Sequence, residues 1–323
     1  VEPDRNRLRT PLPWQREPWE RLSSLAKSGG LPHAVLIGGP ENIGKSRFAA
    51  ALAQSLLCDA PTADGACGRC RCCELLAAGS HPDLLEVTVE RDSRVIKIDQ
   101  IRQLIEFAGR TASIARRKAI VLGPAELMNI NAANALLKCL EEPTESTSLL
   151  LYSHQVQSLP ATVRSRCQSL HFQPPPREMA LSWLKRYTGS DAVSEQLMDV
   201  VGDRPLAARD LHLADALEQR LAPRRAMDEL LEGKISPLDF PPLVEKLELP
   251  DVLGLIQQRL ESDLRAGVLA GRGAAMIDAF RLRDELAHLR RSIANGANPN
   301  RQLTIEDSAA RLVGAVGQFA GRC

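Results

Sequence analysis

Residues Gly39-Pro40-Glu41-Asn42-Ile43-Gly44-Lys45-Ser46 decide the fold. They match G-x-x-x-x-G-K-[S/T] at every fixed position. Before them, His33-Ala34-Val35-Leu36-Ile37-Gly38 is a short apolar run that reads as a buried strand. After them, Ser46 to Leu57 is rich in helix formers. Strand, glycine loop and helix form a βα unit that can cradle phosphate. The glycines let successive backbone N–H groups face phosphate oxygens, and the helix N-terminus adds its dipole. Lys45 neutralises β/γ charge, and Ser46 can hold Mg²⁺. Gly39, Gly44, Lys45 and Ser46 are therefore the candidate nucleotide contacts. The alternative is a relic loop of the same fold that binds nothing.

Outward from this unit, strand patterns recur at Asp83–Glu90, Lys118–Gly123, Ser148–Tyr152 and near Ser169–Phe172. Helical patterns stand between them. Ile101–Gly109 carries an i, i+3, i+4, i+7 apolar stripe with Asp99 as its expected N-cap, and Ala125–Glu142 is closed by Pro143. A further helix is expected around Pro18–Lys27. Alternating strands and helices argue for a parallel sheet covered on both faces. Gln173-Pro174-Pro175-Pro176 breaks the pattern and reads as a linker. From Arg177 to Cys323 no strand pattern emerges, and Pro/Gly interruptions fall near 202–205, 237–242, 271–273 and 296–299. The expected fold is α/β plus all-α. A phosphate-loop domain covers 1–173, a small helical domain 174–214 and a larger helical domain 215–323.

The third strand departs from a hydrolytic site. Hydrolysis needs a carboxylate at its C-terminal end to hold Mg²⁺, with a group to orient water. Here the strand runs out as Val121-Leu122-Gly123-Pro124-Ala125-Glu126. Glu126 comes a few residues late, on the expected following helix. The pattern is a nucleotide fold without a complete hydrolytic site.

Five of the eight cysteines lie between Cys58 and Cys73. Cys58, Cys67, Cys70 and Cys73 offer four thiolates, the last three separated by two successive C-x-x-C gaps, which suits tetrahedral Zn²⁺ in a closed structural site. Gly65 and Gly68 permit the tight turns. Cys72 leaves a swap with Cys73 open, although the 67/70/73 spacing favours Cys73. A redox dithiol or a disulfide pair is the competing reading. Cys139 reads as a small core residue, and Cys323 as uninformative.

The 323 residues, 35.3 kDa, carry 41 basic and 40 acidic side chains, net +1. That balance argues against wrapping nucleic acid along the whole length by bulk charge. At 44% apolar and 25% charged residues the chain has an ordinary globular composition. Aromatics at 3% make stacking platforms for single strands an unpromising main device. No apolar run is long enough to span a membrane, and Val1-Glu2-Pro3-Asp4-Arg5-Asn6-Arg7 lacks a signal-peptide core. The expected compartment is the cytoplasm, where cysteines are not read first as disulfides.

Two basic features remain. Arg116-Arg117-Lys118 is the densest small cluster and reads as a solvated turn before a DNA-backbone contact. Arg166, in Ser165-Arg166-Cys167, reads on spacing alone as a surface salt-bridge residue. Its second reading is a finger to a neighbour's γ-phosphate.

Together these motifs resemble the AAA+ clamp-loader family of the bacterial replicative polymerase, DNA polymerase III. The resemblance is carried by Gly39–Ser46, the Cys58/Cys67/Cys70/Cys73 spacing and His81-Pro82-Asp83. It continues through Ile98-Asp99-Gln100-Ile101-Arg102, Asn134-Ala135-Leu136-Leu137-Lys138-Cys139-Leu140-Glu141-Glu142-Pro143 and Ser165-Arg166-Cys167. It is dense over about 30–175 and thins beyond, where Asn298–Leu303 still resembles a collar segment. The resemblance implies an AAA+ domain with a zinc module at 58–73, a helical lid and a helical collar. It implies a five-subunit ring with gamma/tau ATPase subunits and a delta subunit, acting on the sliding clamp and primed DNA. It also implies that Arg166 works in trans as the catalytic arginine finger.

Gly123-Pro124 in place of Asp-Glu, and Pro205 where ATPase members carry a lid arginine, resemble the delta prime branch. The intact loop departs from that branch and leaves ATP or ADP binding without hydrolysis open. A gamma/tau-like autonomous ATPase using Glu126 is the alternative. A zinc-containing DNA-binding module without ring partners is a third reading. Polymerase chemistry is not expected, because no paired Asp constellation for two-metal transfer is present.

Overall fold

The computed structural model describes residues 8–91, 93–144, 146–269, 276–294 and 296–320. Cys323, the Val1–Arg7 start and the 271–273 interruption lie outside them. The chain forms two compact units, Val1–His212 and Leu213–Cys323.

In chain order, the first unit contains α1 (Arg16–Lys27), β1 (Ala34–Gly38), α2 (Lys45–Leu57), α3 (Arg71–Ala77), β2 (Leu84–Val87) and α4 (Ile98–Gly109). It continues with β3 (Lys118–Leu122), α5 (Ile130–Glu141), β4 (Thr147–Ser153), α6 (Ala161–Arg164) and β5 (Gln168–His171). It ends with α7 (Arg177–Thr188), α8 (Asp191–Val201) and most of α9 (Pro205–Leu213). The five strands make one sheet in the order β2-β3-β4-β1-β5. Every pairing is parallel. Both faces are covered, so β1 and β3 are buried at all five positions each. On one face Ile101, Leu104, Leu136 and Leu140 pack over Leu36, Ile120, Leu122 and Leu151. On the other, Trp19, Phe48 and Leu52 pack over Val35, Ile37, Val121 and Leu150.

The local signals explain most boundaries and correct three expectations. Lys97, not Asp99, is the N-cap of α4. The Gln100 side chain accepts from the Lys97 N–H at 2.9 Å, the N3 half of a capping box, and Asp99 pairs with Arg102 at 2.9 Å instead. The expected helix Ala125–Glu142 is split. Ala125–Leu127 is a 3-10 turn, and α5 begins at Ile130 with Asn129 accepting from Ala132 N at 2.8 Å. The break is held by Ile96, which donates to Leu127 O at 2.7 Å and accepts from Asn129 N at 3.2 Å. The expected strand Asp83–Glu90 shortens to β2, and α3 was not expected at all.

The second unit holds α10 (Leu217–Leu231), α11 (Phe240–Leu243), α12 (Leu249–Leu269), α13 (Ile277–Ala294) and α14 (Arg301–Ala320). Val252, Ile256, Leu260 and Leu264 form one apolar stripe on α12. They pack with Leu282, Leu286, Ile305 and Leu312 in a separate helical core. Asn300 caps α14 by accepting from Leu303 N at 3.1 Å. No helix of the described residues is long and apolar enough to cross a membrane.

Candidate nucleotide site, metal centre and arginine turn

The phosphate loop leaves the C-terminal end of β1 and runs into α2. Its two framing glycines are required. Gly39 has φ +139 and Gly44 φ +93, and a Cβ at either would overlap a neighbour: the Phe172 carbonyl oxygen and the Leu12 side chain respectively. Lys45 is 2% exposed and donates to Pro40 O. Burial pulls its ammonium down to about 8, while Glu126 and Glu41 oppose that fall. Ser46 is exposed at the first turn of α2.

Residues distant in sequence complete this site. The Gln15 amide is fully buried and donates to Gly44 O at 2.9 Å, and Trp14 Nε1 donates to Ile43 O at 2.9 Å. Trp14 packs edge-on against Trp183 of α7, centroids 5.4 Å apart. Leu206 N, in the first turn of α9, donates to Asn42 O at 3.2 Å. Helices α7 and α9 are thus tied to the loop and to the segment that braces it. Arg204, beside Pro205, is turned back onto Val201 O at 2.6 Å.

Glu126 stands on the 3-10 turn after β3 and not on α5. Its Oε1 accepts from His154 N at 2.9 Å, and its buried Oε2 has no hydrogen-bond partner. His154, just past β4, also has a buried, unpartnered Nδ1. Burial first, and the Lys45 charge second, lower its pKa. Gln15, Trp14 and His154 carried no motif in the sequence. Their only signals were Leu12-Pro13-Trp14-Gln15 ahead of α1 and a histidine at a strand end.

The cysteine loop docks on α1 through Trp19 Nε1, which donates to Ala63 O at 2.7 Å. It brings Cys58, Cys67, Cys70 and Cys73 together, their Sγ atoms all within 4.8 Å of one another. Three Sγ–Sγ separations are 3.9, 3.8 and 3.6 Å, for the pairs 58–70, 67–73 and 58–73. A tetrahedron with 2.3 Å metal–sulfur bonds has edges of about 3.8 Å. Backbone N–H groups also aim at the sulfurs: Cys67 N to Cys58, Gly68 N to Cys73 and Cys73 N to Cys70, at 3.2–3.4 Å. The donor set fits a metal ion such as zinc. Cys72 points away, donating to Asp59 at 3.7 Å. Burial first, and then Asp59, push its thiol up to about 11.

Below this loop, Asp83 of His81-Pro82-Asp83 is 1% exposed. Its carboxylate accepts from Ser113, Ile114 and Ala115 N–H at 2.6, 2.8 and 2.8 Å. Burial alone would raise that carboxyl, but the three N–H donors hold it below its ordinary value. The bonds fix the segment leading to Arg116-Arg117-Lys118. That cluster is not a solvated turn throughout. Lys118 is 1% exposed, with its ammonium donating to the carbonyls of Phe107, Ala108 and Arg110 at the end of α4. Burial lowers its pKa. Cys139 is half-buried against the α4–α5 core.

Arg166 lies on the turn between α6 and β5. Its Nη2 pairs with Glu141 Oε1 at 2.6 Å, and its Nη1 donates to Thr162 O at 3.0 Å. The phosphate loop, the cysteine cluster and Arg166 are therefore three separate places on the first unit.

Residues 14–176 match a family model described as "DNA polymerase III, delta subunit". A DNA polymerase III subunit delta' of Pseudomonas aeruginosa is 36% identical over 91% of this chain and 94% of that protein. The chain belongs to the delta prime family of DNA polymerase III subunits. Its Yersinia pestis delta' relative is 32% identical over 86% of this chain and 83% of that protein. A crystal structure of a DNA polymerase III gamma subunit-related protein from Thermotoga maritima shares the fold, with a TM-score of 0.54 at 21% identity, covering 91% of this chain and 99% of that one. Delta prime membership and the AAA+ fold are thus reached from sequence, strand order and relatives together.

Proposed function

We propose that this delta prime chain is a non-hydrolysing stator of the clamp loader. It joins gamma/tau ATPase subunits and a delta subunit in a five-subunit ring, and supplies Arg166 to ATP on an adjacent ATPase subunit. It supports loading of the sliding clamp onto primed DNA in the cytoplasm. In this reading 174–214 is the lid and 215–323 the collar through which the ring assembles. Zn²⁺ on Cys58, Cys67, Cys70 and Cys73 would be structural, since four protein thiolates leave no open position. Gly39, Gly44, Lys45 and Ser46 would hold ATP or ADP without turning it over.

One observation carries this reading. An intact phosphate loop stands beside a third strand that runs out into Gly123-Pro124, and the first carboxylate after it, Glu126, comes only on the following 3-10 turn, where Oε1 accepts from the His154 N–H. Bound Mg²⁺ would then have Ser46 and phosphate but no carboxylate at the strand end to hold it or to orient water.

Steady-state ATP hydrolysis by the purified chain, beside Lys45→Ala, tests it. The expected result is no Lys45-dependent turnover. Turnover lost in the variant would make the chain a gamma/tau-like ATPase with Glu126 as its displaced carboxylate.

A further inference from the structure

We propose that Glu141 is a positioning residue for Arg166, holding the guanidinium in the direction from which it meets a phosphate on a neighbouring chain. This rests on the finger reading above and adds a residue to it.

The backbone at Arg166 is held from both sides. Arg166 N donates to Val163 O at 3.2 Å and Cys167 N to Arg164 O at 3.3 Å. Val163 is fully buried, and Cys167 packs half-buried against the same core. What the turn leaves open is the side chain. An arginine on an exposed turn has many rotamers to lose before it can serve one geometry.

Two acceptors remove that freedom. The Thr162 carbonyl takes Nη1 from within the same turn, and Glu141 takes Nη2 from the end of α5, 25 residues away in sequence. The pair spans two elements and fixes the guanidinium against the sheet unit instead of along its own helix. Two of five N–H donors are so engaged, and the rest of the fork serves an incoming anion. The Arg166 side chain remains 36% exposed.

Glu141 has little reason to be there for α5 itself. It is the last residue of the helix, where a carboxylate meets the negative end of the dipole. It is about half exposed, and an ion pair at such a site adds little to folding stability. Its effect is therefore expected on the reaction.

The experiment uses the assembled complex with its ATPase partners and measures kcat and KM for ATP, with assembly checked by gel filtration. The variants are Glu141→Ala, Glu141→Gln, Arg166→Ala and the double variant Glu141→Ala/Arg166→Ala. Glu141→Ala is expected to lower kcat at the served site about fivefold with KM and assembly unchanged, the pattern of lost orientation. Glu141→Gln keeps an acceptor oxygen in place and is expected to recover most of that rate. In the Arg166→Ala background, Glu141→Ala is expected to add nothing.

Unchanged or faster turnover in Glu141→Ala, with Arg166→Ala slowed, overturns the positioning role alone. So does a further loss in the double variant. Wild-type turnover in Arg166→Ala overturns the finger and the positioning role together.

Discussion

Gln168, the first residue of β5, lies opposite Val35 on β1, and the two strands run parallel from there to the pairing of Gly38 with His171. The phosphate loop follows Gly38, whereas Arg166 precedes Gln168 by two residues. The loop thus leaves one end of the sheet and Arg166 stands at the other. The three residue steps from Gln168 to His171 alone span about 10 Å at 3.3 Å each. A phosphate held on this chain's loop is out of reach of this chain's Arg166. That polarity is why we read its target as a nucleotide on a neighbouring subunit.

Lys45 should cost stability in the ligand-free chain. Its folded pKa, about 8, lies below the unfolded value near 10.4. Between those values the unfolded state binds more protons, so stability rises with pH across that window, and the penalty is fully present below it. Lys45→Met should stabilise the free chain at pH 7 by roughly 1–3 kcal/mol and lose nucleotide binding. Urea unfolding at pH 7 and near pH 10 checks this, and the gain should shrink at the higher pH. A destabilised Lys45→Met would mean the ammonium serves the fold.

Asp83 should work in the opposite sense. Its folded pKa is depressed, so its contribution is present above the unfolded value near 3.9 and is lost as pH falls through the folded one. Asp83→Asn removes the charge from three backbone N–H bonds and should cost about 2–3 kcal/mol at pH 7. The difference from wild type should close at low pH. An equal deficit at pH 3 and pH 7 would assign the loss to packing.

The two neighbouring cysteines should separate cleanly. Elemental analysis should find one zinc per chain in the wild type and in Cys72→Ser, because Cys72 faces Asp59. Cys73→Ser should lose the metal and melt at a lower temperature, since a structural site contributes its binding energy to the fold. Metal retained in Cys73→Ser and lost in Cys72→Ser would reverse the assignment.

The sheet domain is legible in the sequence where chemistry imposes fixed spacing. Gly39–Ser46 needs its glycines at positive φ, and the cysteines need two-residue gaps, so both read directly. Strands buried on both faces, such as Lys118–Leu122, read as apolar runs. The misreadings have one physical source, which is that the deciding partner lies far along the chain. Lys118 reads with Arg116 and Arg117 as a basic turn, yet it opens a central strand and its ammonium must find the carbonyls ending α4. Ala125–Glu142 reads as one helix until Ile96 pins the chain at Leu127 and Asn129. Gln15 and Trp14 meet the phosphate loop from 29 residues away, and Glu126 meets His154 from 28. No local pattern announces such pairs. Arg166 was the reverse case. Its surface ion pair with Glu141 is the bland reading of its spacing, and the same pair is what orients it.

The most direct test of the account is ATP turnover by the complete clamp-loader complex built with Arg166→Ala in this subunit. The served site should lose roughly 10³-fold in rate, as for other arginine fingers, giving a clear fall in total turnover while the complex stays assembled. Wild-type turnover in a complex shown to contain the variant would contradict the central claim.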